Sequence, residues 1–213
     1  WLSRLVARKV ICNSEQGKAY HLGIGYPPAK LEVISNSIEV PADYHPAPPL
    51  DRERPWRIGM LARLDPMKGH PTMLKAMKIL LANGIEAELD LYGEGPREYR
   101  DELVELTRGL GIEGRVHWRG HAQDSWSALS TLDVLVSSST TEGMSNALLE
   151  GMAAGRVVVA TDVGDAKALL TGAGGPCGYL VEPGSSESLA DALTEVFRKP
   201  EEARSRTNRA REK

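Results

Sequence analysis

Beyond the first quarter of the chain, short runs of aliphatic and β-branched residues alternate with longer stretches in which apolar positions return every three or four residues. RIGML (57–61), AELDLY (87–92), RVHWRG (115–120), DVLVSS (133–138), VVVAT (157–161) and GYLV (178–181) read as strands. Between them, PTMLKAMKILLA (71–82) places Leu74, Met77, Leu80 and Leu81 on one stripe. Residues 97–110 do the same with Leu103, Leu106 and Leu110, and 145–154 and 185–198 form further helices, ended by Gly155 and Pro200. VVVA and VLVS are apolar without alternation, as strands covered on both faces are. Alternating βα units of this length predict an α/β fold: a Rossmann-like, doubly wound parallel sheet of about six strands with flanking helices.

The start of the chain has a different texture. VICNS reads as a strand, and YPPAKLEVISNSIEV as a loop followed by another strand. PADYHPAPPLDRERP is proline-rich and therefore extended and non-helical. The expected division is 1–40 as the tail end of a preceding domain, 41–55 as a linker, and 56–213 as the main domain. The sequence opens at Trp1 in mid-pattern, as a piece of a longer protein would.

Composition narrows the classes. The 213 residues are 41% hydrophobic and 26% charged, enough for a stable core without staples. A net charge of −3 argues against nucleic acid as the main partner. The terminal run RKPEEARSRTNRAREK interleaves acids with its bases and reads as a solvated final helix. Cys12 and Cys177 are far apart with no metal spacing, which suits a reducing compartment, the cytoplasm. No apolar run approaches the ~18 residues that span a bilayer, and no signal peptide is visible.

In an open parallel sheet ligands bind beyond the carboxyl ends of the strands, so the loops after strands carry the candidate chemistry. LARLDPMKGH (61–70) holds Arg63 and Lys68 around a Pro-containing turn before a helix. Two cations beside a helix N-terminus can hold a diphosphate, although taken alone the pair reads more readily as solvated surface charge. YGEGPR (92–97) has G-x-G without a third glycine, so a tight turn is the better reading than a dinucleotide fingerprint. In RGHAQD (119–124), His121 reads as a loop residue whose backbone matters, and Asp124 as the cap of a short helix at 125–130.

SSSTTEGMSNALLEGMAAG is the most telling stretch. With Ser145 or Asn146 as N-cap, Glu142 and Gly143 lie in the loop and Glu150 about one turn inside the helix. At ~1.5 Å per residue Glu150 stands roughly 6–8 Å along the axis, the distance of a ribose from a diphosphate at the helix mouth. Its carboxylate can accept both ribose hydroxyls, while Glu142 faces the other end of the diphosphate, where a sugar would hang. Gly143 lets backbone N–H groups come close to phosphate oxygens. A solvated Glu150 is the bland alternative, but Leu148, Leu149 and Met152 surround it with apolar side chains. The chain has no Asp-x-Asp, the metal-holding pair of sugar-nucleotide enzymes of another fold, so no metal or other cofactor is expected.

LARLDPMKG, EGMSNALLEGMAAG with its Glu-x7-Glu, ATDVGD and GYLVEPG together resemble the C-terminal, donor-binding domain of GT-B retaining glycosyltransferases of family 4 (glycosyl transferases group 1). VICNS…LEVISNSIEV resembles the segment leading out of that family's N-terminal domain. The resemblance implies a metal-independent, retaining hexosyl transfer from a nucleotide-diphosphate sugar, with UDP taken as the nucleotide though no residue dictates it. Arg63 and Lys68 would bind the diphosphate, Glu150 the ribose and Glu142 the transferred sugar. Amides of Gly143, Met144, Ser145 and Asn146 would line the pocket, and the backbone around His121 would meet the base. The acceptor, a glycan or lipid-linked molecule, would be held by the N-terminal domain, with peripheral attachment of the whole enzyme to the inner face of the membrane as a further implication. Departures are Ala62-Arg63 for Gly-Arg, Gly164-Asp165-Ala166 for Gly-Gly-x-Pro-Glu, and Ser35-Asn36-Ser37 where Asn-Gly is common. Two other readings stay open: a nucleotide-sugar-binding module without turnover, and a Rossmann oxidoreductase, which would require a full G-x-G-x-x-G after the first strand of the sheet.

Overall fold

The computed structural model describes residues 2–44, 54–172 and 174–213. In chain order, α1 (Leu2–Val6), β1 (Val10–Cys12), α2 (Glu15–Gly23) and β2 (Leu31–Val33) come first. They are followed by β3 (Trp56–Leu61), α3 (His70–Ala82), β4 (Ala87–Tyr92), α4 (Arg97–Leu110), β5 (Val116–Gly120), α5 (Ser125–Ser130), β6 (Val134–Ser137), α6 (Asn146–Ala153) and β7 (Val157–Thr161). Then come α7 (Ala166–Leu170), the hairpin strands β8 (Thr171–Gly172) and β9 (Gly175–Pro176), β10 (Tyr179–Val181), α8 (Ser186–Arg198) and α9 (Pro200–Arg211).

Strands β3–β7 and β10 form one six-stranded parallel sheet in the order β10-β7-β6-β3-β4-β5. Numbered along the sheet's own sequence, that is the doubly wound order 3-2-1-4-5-6, whose winding reverses between β3 and β6. The strands alternate between two apolar layers. Trp56, Ile58, Met60, Val134, Val136, Val157, Val159, Tyr179 and Val181 face α3, α4 and α8. Leu135, Val158 and Ala160 face the other way, toward α5, α6, α7 and α9. Leu74, Met77 and Leu80 are fully buried, as their spacing predicts. Burial of each stabilises the fold by roughly 1.5–3 kcal/mol relative to exposure.

The second face carries charge, not aliphatic packing, over β3–β5. Asp90 is fully buried and its carboxylate accepts from Arg57 (Nε, 2.9 Å) and Arg119 (Nε, 2.6 Å). Removing one partner of so enclosed a group typically costs about 3–5 kcal/mol.

The sequence-based expectation omits α1, α7 and the β8–β9 hairpin, and it misreads two further regions. The final helix, α9, is not merely solvated: Pro200, Ala203, Thr207 and Ala210 are buried, and the Arg206 guanidinium lies 4.0 Å over the Tyr179 ring. Its apolar stripe is made of small residues, which the charged run hides. The stretch between the first two strands contains α2, capped by the Ser14 hydroxyl accepting from Gly17 N–H at 2.9 Å. None of the α2 residues is buried, so no apolar period marked it.

β1 and β2 pair in parallel as a separate two-stranded sheet. Of the expected linker, residues 45–53 lie outside the described residues. Its flanks are anchored on the main sheet. Tyr44 donates to the Ala154 carbonyl (3.2 Å) and packs on Trp126, and the Arg54 guanidinium donates to both Asp133 oxygens at 2.8 Å.

Candidate functional site

The loop after β3 turns sharply. Asp65 caps a single 3-10 turn, Pro66–Lys68, accepting from Met67 N–H at 2.9 Å. Gly69 then enters α3 at φ +68°, a conformation that suits glycine. A Cβ there would stand 1.9 Å from the Ser138 carbonyl oxygen, because the loop lies directly on the end of β6. The Ser138 hydroxyl sits 3.0 Å from the carbonyls of both Lys68 and Gly69 and donates between them, and Thr140 N–H donates to Met67 O at 2.8 Å. Topology thus brings the loops after β3 and β6 together at the winding reversal.

There the Lys68 ammonium pairs with the Glu142 carboxylate, and Ser139 donates to the same carboxylate oxygen at 2.9 Å. Both members of the pair are largely buried. Ser145 is the N-cap of α6, its hydroxyl accepting from Leu148 N–H at 3.4 Å. Glu142, Gly143 and Met144 lie in the loop, and Asn146 opens the helix.

Glu150 is half-buried on α6. Burial pushes its pKa up, the Ser125 hydroxyl bonded to it pulls the other way, and the nearby Asp124 charge raises it further. Asp124 caps α5, accepting from Trp126 and Ser127 amides at 3.1 and 2.8 Å, and these bonds with the Ser127 hydroxyl hold its carboxyl below the ordinary range. Beyond it, Tyr92, His121, Gln123, Asp124 and Ser127 line a depression of about 410 Å³. Of the expected site residues, Lys68 pairs with Glu142 at the winding reversal, while Glu150 neighbours Ser125 and Asp124, and Asp124 shares its depression with His121.

Arg63 is exposed and forms no hydrogen bond or ion pair with the described residues. It forms no ion pair with Glu142 or Glu150; it follows β3 by two residues, against Gly93. The G-x-G of 93–95 is a close-packing turn: a Cβ at Gly93 would strike the Ala62 carbonyl oxygen, and at Gly95 the Leu64 carbonyl oxygen. His70, at the start of α3, is buried, and loss of hydration lowers its pKa to about 4 against an opposing pull from Asp65. Among the described residues no three His, Cys, Asp or Glu side chains gather into a metal-binding group, and no helix is long and apolar enough to cross a membrane.

Local patterns gave no hint of Ser139, Ser125 or Asn36 at this site. Asn36 donates to the Asn146 side-chain oxygen at 2.7 Å across 110 residues of sequence. The hydroxyls carry no periodic signal, and Asn36 acts through a contact that only the assembled fold creates.

Residues 55–199 match a model of the glycosyl transferases group 1 family. The chain belongs to that family. Among this family member's relatives are the lipopolysaccharide core biosynthesis glycosyltransferase LpsE of Rhizobium meliloti, 32% identical over 64% of the chain, and the putative glycosyltransferase EpsD of Bacillus subtilis, 29% identical over 70%. The chain spans 38% of the length of each. Its fold matches Anabaena HepE in complex with UDP and glucose, with a TM-score of 0.86, 23% identity, and coverage of 99% of this chain and 59% of that one. It also matches the C-terminal domain of the glycosyl transferase group 1 family protein LpcC from Francisella tularensis, with a TM-score of 0.68, 26% identity, and coverage of 79% and 92%. The GT-B fold expectation is therefore met by this group 1 chain.

Proposed function

We propose that this group 1 chain is the donor-binding part of a retaining glycosyltransferase that uses a nucleotide-diphosphate sugar, with UDP favoured. The observation that carries the reading is the Lys68–Glu142 pair at the winding reversal, with the loop that holds Glu142 running into the N-terminus of α6. In this reading Lys68 and Arg63 grip the diphosphate and Glu142 turns to the transferred sugar. Glu150 accepts the ribose hydroxyls, and the backbone at His121 meets the base.

The chemistry follows from that charge distribution. The bond from the anomeric carbon to the diphosphate oxygen breaks, and its electron pair leaves with the diphosphate. The acceptor hydroxyl oxygen bonds to the same carbon on the same face, and its proton passes to the departing phosphate oxygen. The protein's part is to stabilise developing negative charge with Arg63, Lys68 and oriented amides. In this reading the two cations and the amides meet the charge that a metal ion would otherwise meet, so turnover by the whole enzyme should be insensitive to a chelator. The acceptor, a glycan or lipid-linked hydroxyl compound, is held by sequence outside this chain, in cytoplasm or at the inner membrane face.

Calorimetric titration with UDP-glucose, GDP-mannose and NAD tests the reading. Binding of a nucleotide sugar, lost in Arg63→Ala and Lys68→Ala more than binding of the free nucleoside, is expected. Preference for NAD, or equal loss of nucleoside and diphosphate, would overturn it. Glu150→Ala should erase discrimination between ribose and 2′-deoxyribose nucleotides. A second reading, a donor-binding module without turnover of its own, is favoured by the 38% share of its relatives' length that the chain spans. Sugar-transfer assays on a chain extended upstream separate the two.

A further inference from the structure

The loops that follow β1 and β2 reach across to the loop that precedes α6. Asn13, directly after β1, lies so close to Gly143 that a Cβ on the glycine would stand 2.9 Å from the Asn13 side-chain oxygen. Asn36, after β2, places its amide nitrogen 2.7 Å from Asn146 Oδ1 and 3.5 Å from the Met144 carbonyl. The loops after the two strands of the small β1–β2 sheet thus converge on one short stretch, residues 143–146, where the loop enters α6.

The second contact fixes an orientation. A backbone carbonyl can only accept, so Asn36 must present its NH2 group toward Met144 and, with it, toward Asn146. Asn146 must then present its carbonyl oxygen to Asn36, and its own NH2 group points away. That NH2 has no partner among the described residues, and it stands on the exposed first residue of α6, next to the free amides of the helix mouth. An NH2 group only donates, which suits phosphate oxygens.

We infer that Asn36 is a positioning residue: it locks the Asn146 side-chain amide so that its NH2 donates to an oxygen of the donor's diphosphate. This rests on the donor reading above and adds to it a side-chain contact, and a residue outside the main domain that sets it. Asn36 touches no ligand; it removes the amide's freedom to turn over and to rotate.

A double-mutant cycle on the 213-residue chain tests this, with UDP and uridine titrated calorimetrically against wild type, Asn36→Ala, Asn146→Ala and the pair. Loss of one hydrogen bond to a charged group should lower UDP affinity about tenfold in Asn146→Ala. Loss of the ordering contact should lower it about threefold in Asn36→Ala. Uridine should bind all four proteins alike, and the double variant should match Asn146→Ala alone. Full additivity, equal losses for uridine, or unchanged UDP binding by Asn146→Ala would overturn the inference. Asn146→Ala changes an exposed helix position and keeps the fold, so it decides even if Asn36→Ala is unstable. A wild-type chain that fails to bind UDP would defeat the donor reading and this inference together; one that binds UDP normally while Asn146→Ala does too would defeat only the inference.

Discussion

Replacing Gly69 by alanine should uncouple the lysine loop from the main sheet. At φ +68° an L side chain costs about 1–2 kcal/mol by local sterics alone. The new Cβ would also stand 1.9 Å from the Ser138 carbonyl, where real Cβ contacts essentially never fall under 3.0 Å. That neighbour is backbone at the end of a buried strand, so the loop must retreat by about 1 Å. A retreat of that size breaks the hydrogen bond that the Ser138 hydroxyl shares between the Lys68 and Gly69 carbonyls, now 3.0 Å from each, at about 1 kcal/mol. The expected loss is on the order of 3 kcal/mol, read as a fall in the urea midpoint without a change in slope. Because Lys68 adjoins the displaced residue, UDP affinity should fall as well while uridine affinity holds. A Gly69→Ala protein within about 0.5 kcal/mol of wild type, or one that loses uridine and UDP equally, would refute the claim that this glycine docks the lysine.

Acidification should expose the buried His70. Its pKa is depressed from 6.5 to about 4, so stability is fully present above 6.5 and is lost as pH falls toward about 4, by on the order of 3 kcal/mol. His70→Gln should flatten that loss in urea titrations at about pH 7 and about pH 5; parallel losses in both proteins would contradict it. Glu150 has the opposite sign: its raised pKa makes the fold most favourable below the unfolded-state value, and that advantage disappears as pH rises through the folded-state value. Glu150→Gln should therefore raise the melting temperature at neutral pH while weakening UDP. Arg63→Ala should leave stability within about 0.5 kcal/mol, since Arg63 is exposed and unpaired among the described residues, whereas Lys68→Ala should cost about 1 kcal/mol by stranding Glu142; thermal melts of the two variants give the comparison.

The sheet was readable because β6 and β7 are near-continuous aliphatic runs and its helices carry stripes such as Leu74, Met77 and Leu80. The rule that ligands bind beyond the carboxyl ends of parallel strands singled out the loops that hold Lys68 and Glu142, but the strand order that brings those loops together came only with the fold. α2 was unreadable because it buries nothing. The packed face of α9 was hidden because Ala203, Thr207 and Ala210 look unremarkable among arginines. The buried Asp90, gripped by Arg57 and Arg119, sits in a segment whose alternation resembles an ordinary half-solvated strand. Asn36 and Asn146 are joined only by the fold, and nothing local to either announces the other.

The lysine and glutamate at the crossover already neutralise each other before any guest arrives. If a pyrophosphoryl group claims the ammonium, the abandoned carboxylate faces an anion and needs a new proton donor nearby. A bare nucleotide has none to give at that spot, whereas a hexose ring offers several hydroxyls. Such a cleft would hold the loaded carrier more firmly than the spent one, and departure of the spent carrier would be helped by the residue that had greeted the sugar.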